Sequence, residues 1–317
     1  MMENSTIDVG IDTGKDYLDV AVQPGDEVLR VSNDAKGHRY LLAWLNGRAV
    51  GRVGIEASGG YERDVVERLR GAGLSVLVLQ PSQVRSFARY KLKRAKNDRI
   101  DAKMIAGCVG GVESRQGVPD PRIAPLAEHL RLIEQLEADL VRAKTRLESY
   151  RQAWPRRVLA REIGRLERRL KAEMALLLKQ LAQHEDLTRR LALIESVEGI
   201  GRRTAIALLL LMPELGSLSR EEAAALAGLA PYDHDSGTHK GTRRIAGGRG
   251  RVRRALFAAA LPASFRWNKA LRELYSRLTS AGKPHKKALA ACARKLLTFA
   301  NVVLQRGSPW QPASALI

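Results

Sequence analysis

Cysteine is nearly absent from this chain. Cys108 and Cys292 are the only two among 317 residues, far apart and without a second ligand at metal spacing. That excludes a disulfide framework and a thiolate zinc site, and suits two buried thiols in a reducing compartment. Aromatic residues make up only 5% of the chain, and no Trp- and Phe-rich amphipathic stretch offers a membrane anchor. Long apolar runs are missing too: the longest, Ala205 to Met212, stops at Pro213, well short of the roughly 20 residues that cross a bilayer. The opening Met1-Met-Glu-Asn-Ser lacks the basic and apolar regions of a signal peptide, so a cytoplasmic, nucleoid-associated protein with no membrane partner is expected. There is no Gly-Lys-Ser phosphate loop and no zinc motif.

Positive charge is what the chain has in excess. Lys plus Arg number 54 against 34 for Asp plus Glu, a formal +20, with pI near 10.4. A folded protein with that surplus points to a polyanion, and nucleic acid is the commonest one. Part of the excess stands at Lys91-Leu-Lys93-Arg94-Ala-Lys96-Asn-Asp98-Arg-Ile-Asp101-Ala-Lys103, where a basic run meets two acids three residues apart. Lys91, Lys93, Arg94 and Lys96 suit a phosphate backbone. On a helix Asp98 and Asp101 share one face and could share a divalent cation. The same two acids could also serve as an N-cap and a first-turn acid favoured by the helix dipole.

The preceding segment reads as three strands (Thr6–Ile11, Tyr17–Val22, Val28–Val31), a helix (Gly37–Asn46), a strand (Arg52–Glu56), a helix (Glu62–Arg70), a strand (Ser75–Leu79) and closing helices, the first opened by Pro81. That order is the order of an α/β RNase H-like fold, in which the first and fourth strands are neighbours. Asp12 and Glu56 would then meet at one end of the sheet, and acids on buried strands need a partner or a metal.

Asp12 after Ile-Asp-Val-Gly-Ile, Glu56-Ala-Ser-Gly-Gly-Tyr61 and Lys96-Asn-Asp98-Arg-Ile-Asp101-Ala102 resemble the three acidic motifs of the DEDD-type insertion-sequence transposases, a group that includes the Piv-like DNA invertases. Its N-terminal domain is similar to that of the RuvC Holliday-junction resolvase. Asn97 stands where the family pattern has Thr. The resemblance implies that Asp12, Glu56, Asp98 and Asp101 are catalytic and bind a divalent cation, Mg²⁺.

From Ala124 to about Glu195 the chain becomes rich in Leu, Glu and Arg, with Leu126, Leu130, Ile133, Leu140, Leu147, then Leu166, Leu170, Leu177 and Leu181 at helical spacing. Trp154-Pro155 interrupts the stripe. The reading is two long helices or one broken helix, either a lone antiparallel pair or, preferably, a coiled-coil arm that makes a dimer. The basic cluster from Arg156 to Lys171 is either a solvated face or a nucleic-acid contact.

Gly199-Ile-Gly201-Arg202-Arg203 opens a helix-hairpin-helix-like signature whose backbone N–H groups can face a phosphate; a plain helix–helix turn is the alternative. Beyond it, Gly228-Leu-Ala-Pro231 leads to Ser236-Gly237 and a glycine- and arginine-dense stretch holding Lys240, Arg243, Arg244, Arg249, Arg251 and Arg253. A Ser-Gly pair is ordinarily a turn. The resemblance covers essentially the whole chain and implies that this is the C-terminal motif whose serine attacks DNA. His234 and His239 flank Ser236 as bases, ligands or bystanders.

Three parts are therefore expected: a RuvC-like catalytic domain (1–123), a coiled-coil arm (124–195) and a mainly α C-terminal domain carrying the serine (196–317). The resemblance further implies donor and target DNA, a structured bridge RNA, a tetrameric synaptic complex, and a serine recombinase activity with Arg243 and Arg244 stabilising charge. Two rival readings remain: a Mg²⁺-dependent junction nuclease in which the acids activate water, and a non-catalytic nucleic-acid-binding scaffold.

Overall fold

The computed structural model describes residues 6–92, 98–112, 120–232 and 244–311, and for residues 98–100 the backbone alone. The chain divides into two compact units, Met1–Val118 and Pro119–Ile317.

In the first unit β1 (Ile7–Thr13), β2 (Tyr17–Gln23) and β3 (Val28–Ser32) form a meander, followed by α1 (Ala35–Leu45), β4 (Val50–Glu56), α2 (Arg63–Gly71), β5 (Val76–Leu79), α3 (Pro81–Tyr90) and α4 (Asp98–Gly110). The sheet order is β3-β2-β1-β4-β5. β1 is antiparallel to β2 and parallel to β4, with Gly10 opposite Gly54 and Ile11 opposite Ile55. This mixed sheet is the expected arrangement and is consistent with an RNase H-like DEDD domain. β1 runs two residues beyond the expected Ile11, because Asp12 and Thr13 still pair with Asp19 and Leu18.

The two faces of the sheet differ in side-chain size. Val9, Ile11, Val53 and Ile55 project to one side and pack with Leu41 of α1 and Val65 and Leu69 of α2. On the other side lie Gly10 and Gly54, and α4 descends onto them. A Cβ at Gly10 would fall 2.1 Å from the Ala102 carbonyl oxygen and 2.2 Å from the Ala106 nitrogen, and one at Gly54 would fall 2.0 Å from Val109 Cγ2. Glycine here is a matter of helix-to-sheet distance. Ala102, Ile105, Ala106 and Val109 form the buried stripe of α4; Ile105 and Val109 together contribute on the order of 3–5 kcal/mol of burial.

The direction of α4 follows from the same contacts. Gly110 lies against the Asp8 carboxylate and Ala102 against Gly10, so the first turn of α4 sits toward the Asp12 end of β1. Arg52 fixes the other end: its Nη1 donates to Val112 O at 3.0 Å and its Nη2 to Gly110 O at 3.2 Å, satisfying carbonyls the helix leaves open. Lys103 pairs with Asp26 at 2.7 Å.

In the second unit α5 (Ile123–Ser149) and α6 (Ala153–Leu181) form an antiparallel pair joined by three residues. Lys144 reaches Glu167 at 2.8 Å, and His129 bridges Gln180 at 2.9 Å and Glu173 at 3.0 Å. Of the two readings of the arm, the two-helix one is correct. The break falls at residues 150–152, and Pro155 is the third residue of α6, where a missing N–H costs nothing. Leu126, Leu130, Ile133, Leu177 and Leu181 root the pair in the core of the second unit, whereas Leu140, Leu147, Leu166 and Leu170 toward the tip are half-buried.

The long helices also end sooner than about Glu195. After Leu181 the chain turns, and α7 (Glu185–Glu195) joins the core through Leu187, Leu191 and Ile194. Next come α8 (Arg202–Leu211), α9 (Arg220–Leu226), the short pair β6 (Pro231–Tyr232) and β7 (Arg244–Ile245), α10 (Gly250–Pro262), a π-helical turn (Ala263–Trp267), α11 (Lys269–Ser280) and α12 (His285–Arg306). α8 is apolar all round and sits centrally, with Ala205 to Leu210 all buried. α12 is long and apolar enough to cross a membrane, but 56% of that stretch is buried, among it Leu289, Cys292 and Leu296, as in a core helix. Both cysteines are buried free thiols, and burial pushes each thiol's pKa up.

Candidate functional site

Side chains alternate across a strand, so the face that carries Gly10 and Gly54 also carries Asp12 and Glu56, two residues further along. These acids stand one register step beyond the paired Ile11 and Ile55, on neighbouring strands. Above them, Asp98 and Asp101 begin α4. Asp101 lies four residues before Ile105 and so extends the sheet-facing stripe of α4 by one turn, and the backbone of Asp98 lies in the first turn of the same helix. Backbone placement thus brings all four acids to the same end of the first unit.

The row continues across the sheet. Asp19 on β2 stands opposite Asp12 and also opposite Arg30 on β3. Asp19 is buried, and Arg30 grips it with two bonds, Nε to Oδ1 at 2.9 Å and Nη2 to Oδ2 at 2.7 Å. That bidentate pair neutralises the carboxylate that stands opposite Asp12 and leaves the row with a fixed, satisfied boundary. Asp12, Asp19 and Arg30 line a cleft of about 260 Å³.

Two further groups shape the rim. After Glu56 the chain turns through Gly59 (φ 80°) and Gly60 (φ 124°), both in the left-handed region that glycine tolerates. The Glu62 carboxylate gathers that turn, accepting from Ser58 N at 3.1 Å, Ser58 Oγ at 3.0 Å and Gly60 N at 2.8 Å. Burial opposes its charge, yet these bonds hold the Glu62 pKa below the usual range. Asn33 then ties the turn to the β1–β2 connection, its Nδ2 donating to Gly14 O at 2.9 Å and Tyr61 O at 3.0 Å. His38 Nε2 meets Asn33 Oδ1 at 2.8 Å. Burial, with Arg68 nearby, lowers the His38 pKa, so the ring is neutral and donates that proton.

Asp12, Glu56 and Asp101 offer hard carboxylate oxygens, the donor type that suits a divalent metal ion, at the end of a face whose glycines admit α4 closely. Among the described residues no group of three or more His, Cys, Asp or Glu side chains is assembled as a metal cage, and the Asp98 side chain lies outside them.

The basic residues divide. Lys91 caps α3 and sits over the rings of Phe87 and Tyr90 at 5.7 and 5.8 Å; Lys93, Arg94 and Lys96 lie outside the described residues. Arg202 pairs with Glu195 at 2.8 Å. Arg203 grips Glu137 through two bonds of 2.9 Å, and Arg251 reaches Glu134 at 2.6 Å, so both guanidinium groups lock α8 and α10 to α5. Burial opposes the charge of Arg203, yet Glu137 and Glu134 hold its pKa above normal. Arg249 pairs with Glu214 at 2.6 and 2.7 Å. Arg253 donates to Gly228 O at 3.2 Å and Gly247 O at 2.7 Å. The sequence reading gave these arginines to nucleic acid, and each also has an internal partner. Charge alone could not reveal those partners.

Ser236, Lys240, Arg243, His234 and His239 lie outside the described residues. What is visible is the base of their segment: Tyr232 pairs with the exposed Arg244, and Arg253 staples Gly228 to Gly247. Gly199 has φ 97°, and its Cβ would fall 2.4 Å from that of Ala263, whereas Gly201, the N-cap of α8, faces open space. The residues missed in the sequence were Asp19 with Arg30, Asn33 with His38, and Glu62. A lone acid in the middle of the apolar β2 run was the one available signal.

Comparisons with known proteins give the family of the chain. Residues 9–153 match a family model described as a DEDD transposase, and residues 191–276 match one described as transposase IS116/IS110/IS902 family. Over 320 aligned positions the chain is 25% identical to the pilin gene-inverting proteins of Moraxella lacunata and Moraxella bovis, covering 95% of this chain and 97% of theirs. An acid row built on β1, β4 and α4, two transposase matches and whole-length similarity to DNA inverters lead to one assignment: the chain belongs to the DEDD-type IS110 transposase family, with the Piv-like invertases, and is a DNA recombinase.

Proposed function

We propose that this protein cuts and rejoins DNA at the ends of a mobile or invertible segment through a serine–phosphate intermediate. The observation that carries the reading is the convergence of Asp12 and Glu56 on adjacent strands with the first turn of α4, which holds Asp98 and Asp101. These carboxylates would hold Mg²⁺, which when bound neutralises phosphate charge and lowers the pKa of a coordinated hydroxyl.

The chain's own part is to position and to conserve bond energy. The Oγ of Ser236 attacks phosphorus, a serine ester forms, the phosphodiester P–O bond breaks, and the departing strand leaves with a hydroxyl that takes the serine proton. Attack by the hydroxyl of the new strand reverses these steps, so no high-energy cofactor is consumed. Arg243 and Arg244 supply positive charge to the pentavalent phosphate. Asp19 stays paired to Arg30 and keeps the floor of the site rigid.

The acids belong to the first unit and Ser236 to the second. A dimer through the α5–α6 arm and a tetrameric synapse bring donor and target DNA to the protein. A structured bridge RNA supplies base-pairing specificity, leaving backbone contacts to a chain with charge +20 and few aromatics. Backbone N–H groups of the Gly199–Arg203 hairpin serve as one phosphate contact.

The test is an inversion or excision assay in cells with Asp12→Asn, Glu56→Gln and Asp101→Asn, alongside DNA binding in vitro. Loss of recombination by at least about a hundredfold with binding retained supports the reading. Unchanged recombination removes the acids from the chemistry. Hydrolysed, unjoined ends would favour the nuclease.

A further inference from the structure

We propose that the π-helical turn at Ala263–Trp267 presents a stacking platform for unpaired nucleobases of a DNA or RNA strand. The chain has four Phe and four Trp in all, yet one of each stands exposed within three residues here, Phe265 at 48% and Trp267 at 63%. Burial does not explain them: Ala263, Ser264 and Asn268 take the buried positions of the same turn.

The turn is built to hold the rings outward. Asn268 N bonds to Ala263 O at 3.0 Å, an i to i−5 bond that widens the helix just after Pro262. Asn268 is buried and fully used: its Nδ2 donates to Glu198 O at 3.0 Å and its Oδ1 accepts from Leu271 N at 3.1 Å. Phe265 is steadied by Tyr275, edge-on at 4.9 Å between centroids, and the Tyr275 hydroxyl meets His285 Nδ1 at 2.7 Å. The Phe265 ring is therefore oriented before any ligand arrives, which lowers the entropy cost of stacking on it.

Charge selects the occupant. Between residues 265 and 287 there are seven Lys and Arg against one acid, Glu273, and Arg266, Lys269 and Lys286 are exposed beside the aromatic residues. Stacked rings flanked by cations are the combination that binds single strands with little sequence preference. The platform also shares its backbone anchor with the Gly199 hairpin: Asn268 holds Glu198, and Ala263 packs on Gly199. A strand whose phosphates meet the hairpin could lay its bases on Phe265 and Trp267.

The test measures binding of the full chain to fluorescein-labelled 12-mers: dT, rU, an abasic strand of equal charge, and a duplex. Trp267→Ala and Phe265→Ala sit at exposed positions, and circular dichroism verifies their folding. Each is expected to weaken single-strand binding roughly 5- to 150-fold, to leave the duplex within about twofold, and to leave abasic binding unchanged. Trp267→Phe should recover most of the loss. Comparing dT with rU tells which backbone the platform prefers. Equal losses for single strand and abasic strand, or no loss, overturn the proposal. A change in the mass of the free protein by light scattering also overturns it, since the patch would then be a protein contact.

Discussion

Gly10→Ala should disable the enzyme without replacing any of the acids. The added Cβ would meet the Ala102 carbonyl oxygen at 2.1 Å, a backbone atom that cannot rotate away, where ordinary contact begins at 3.4 Å. α4 must therefore recede by about 1.3 Å, carrying Asp98 and Asp101 with it. Overpacking of this kind costs roughly 1–3 kcal/mol, and a misplacement near 1 Å costs on the order of a hundredfold in rate. Gly54→Ala is the internal control. Its Cβ would collide first with Val109 Cγ2 at 2.0 Å, a side-chain methyl that can shift, so its loss should be clearly smaller. The assay is recombination of a reporter plasmid, paired with thermal unfolding and read at a temperature where both variants are folded. A folded Gly10→Ala protein with wild-type activity would refute the claim that α4 seats the acids through this contact.

Other expectations are independent of that one. Glu134→Ala leaves Arg203 and Arg251 without their shared partner and should lower stability by roughly 1–3 kcal/mol in urea titration. Gly199→Ala should destabilise by a similar roughly 1–3 kcal/mol, given φ 97° and a 2.4 Å approach to Ala263, whereas Gly201→Ala should be nearly neutral. His38 has a folded pKa below its unfolded value near 6.5, so the unfolded chain takes up the proton first as pH falls. Stability should therefore decline as pH drops below about 6.5 toward the folded pKa, and His38→Gln should flatten that part of a melting-temperature profile.

The sequence carried the order of the sheet elements and the place of Asp12 and Glu56 at the ends of neighbouring strands, because both are written in local patterns. β-branched alternation marked the strands, and acids in otherwise apolar strands announced a site. It did not carry the pairing of the arginines. Arg203 and Glu137 lie 66 residues apart and Arg251 and Glu134 lie 117 apart, so no local pattern links them. The cluster Arg249 to Arg253, read from its charge as a nucleic-acid contact, also staples α10 to its surroundings. The early turn after Leu181 was illegible for a similar reason: Leu187 and Leu191 of α7 repeat the four-residue spacing of Leu177 and Leu181 in α6, and only tertiary packing distinguishes an arm from a core helix. Asp19 could have been noticed, since a lone acid inside Tyr17–Gln23 needs a partner; Arg30 sits opposite it only once β2 and β3 pair.

The serine ester is the central claim, and trapping it is the most direct measurement. DNA labelled beside the element boundary would be incubated with the protein, Mg²⁺ and its RNA, then denatured and resolved by size. The account predicts a protein–DNA adduct that disappears in both Ser236→Ala and Asp98→Ala. Cleaved DNA without an adduct, undiminished in Ser236→Ala, would contradict it.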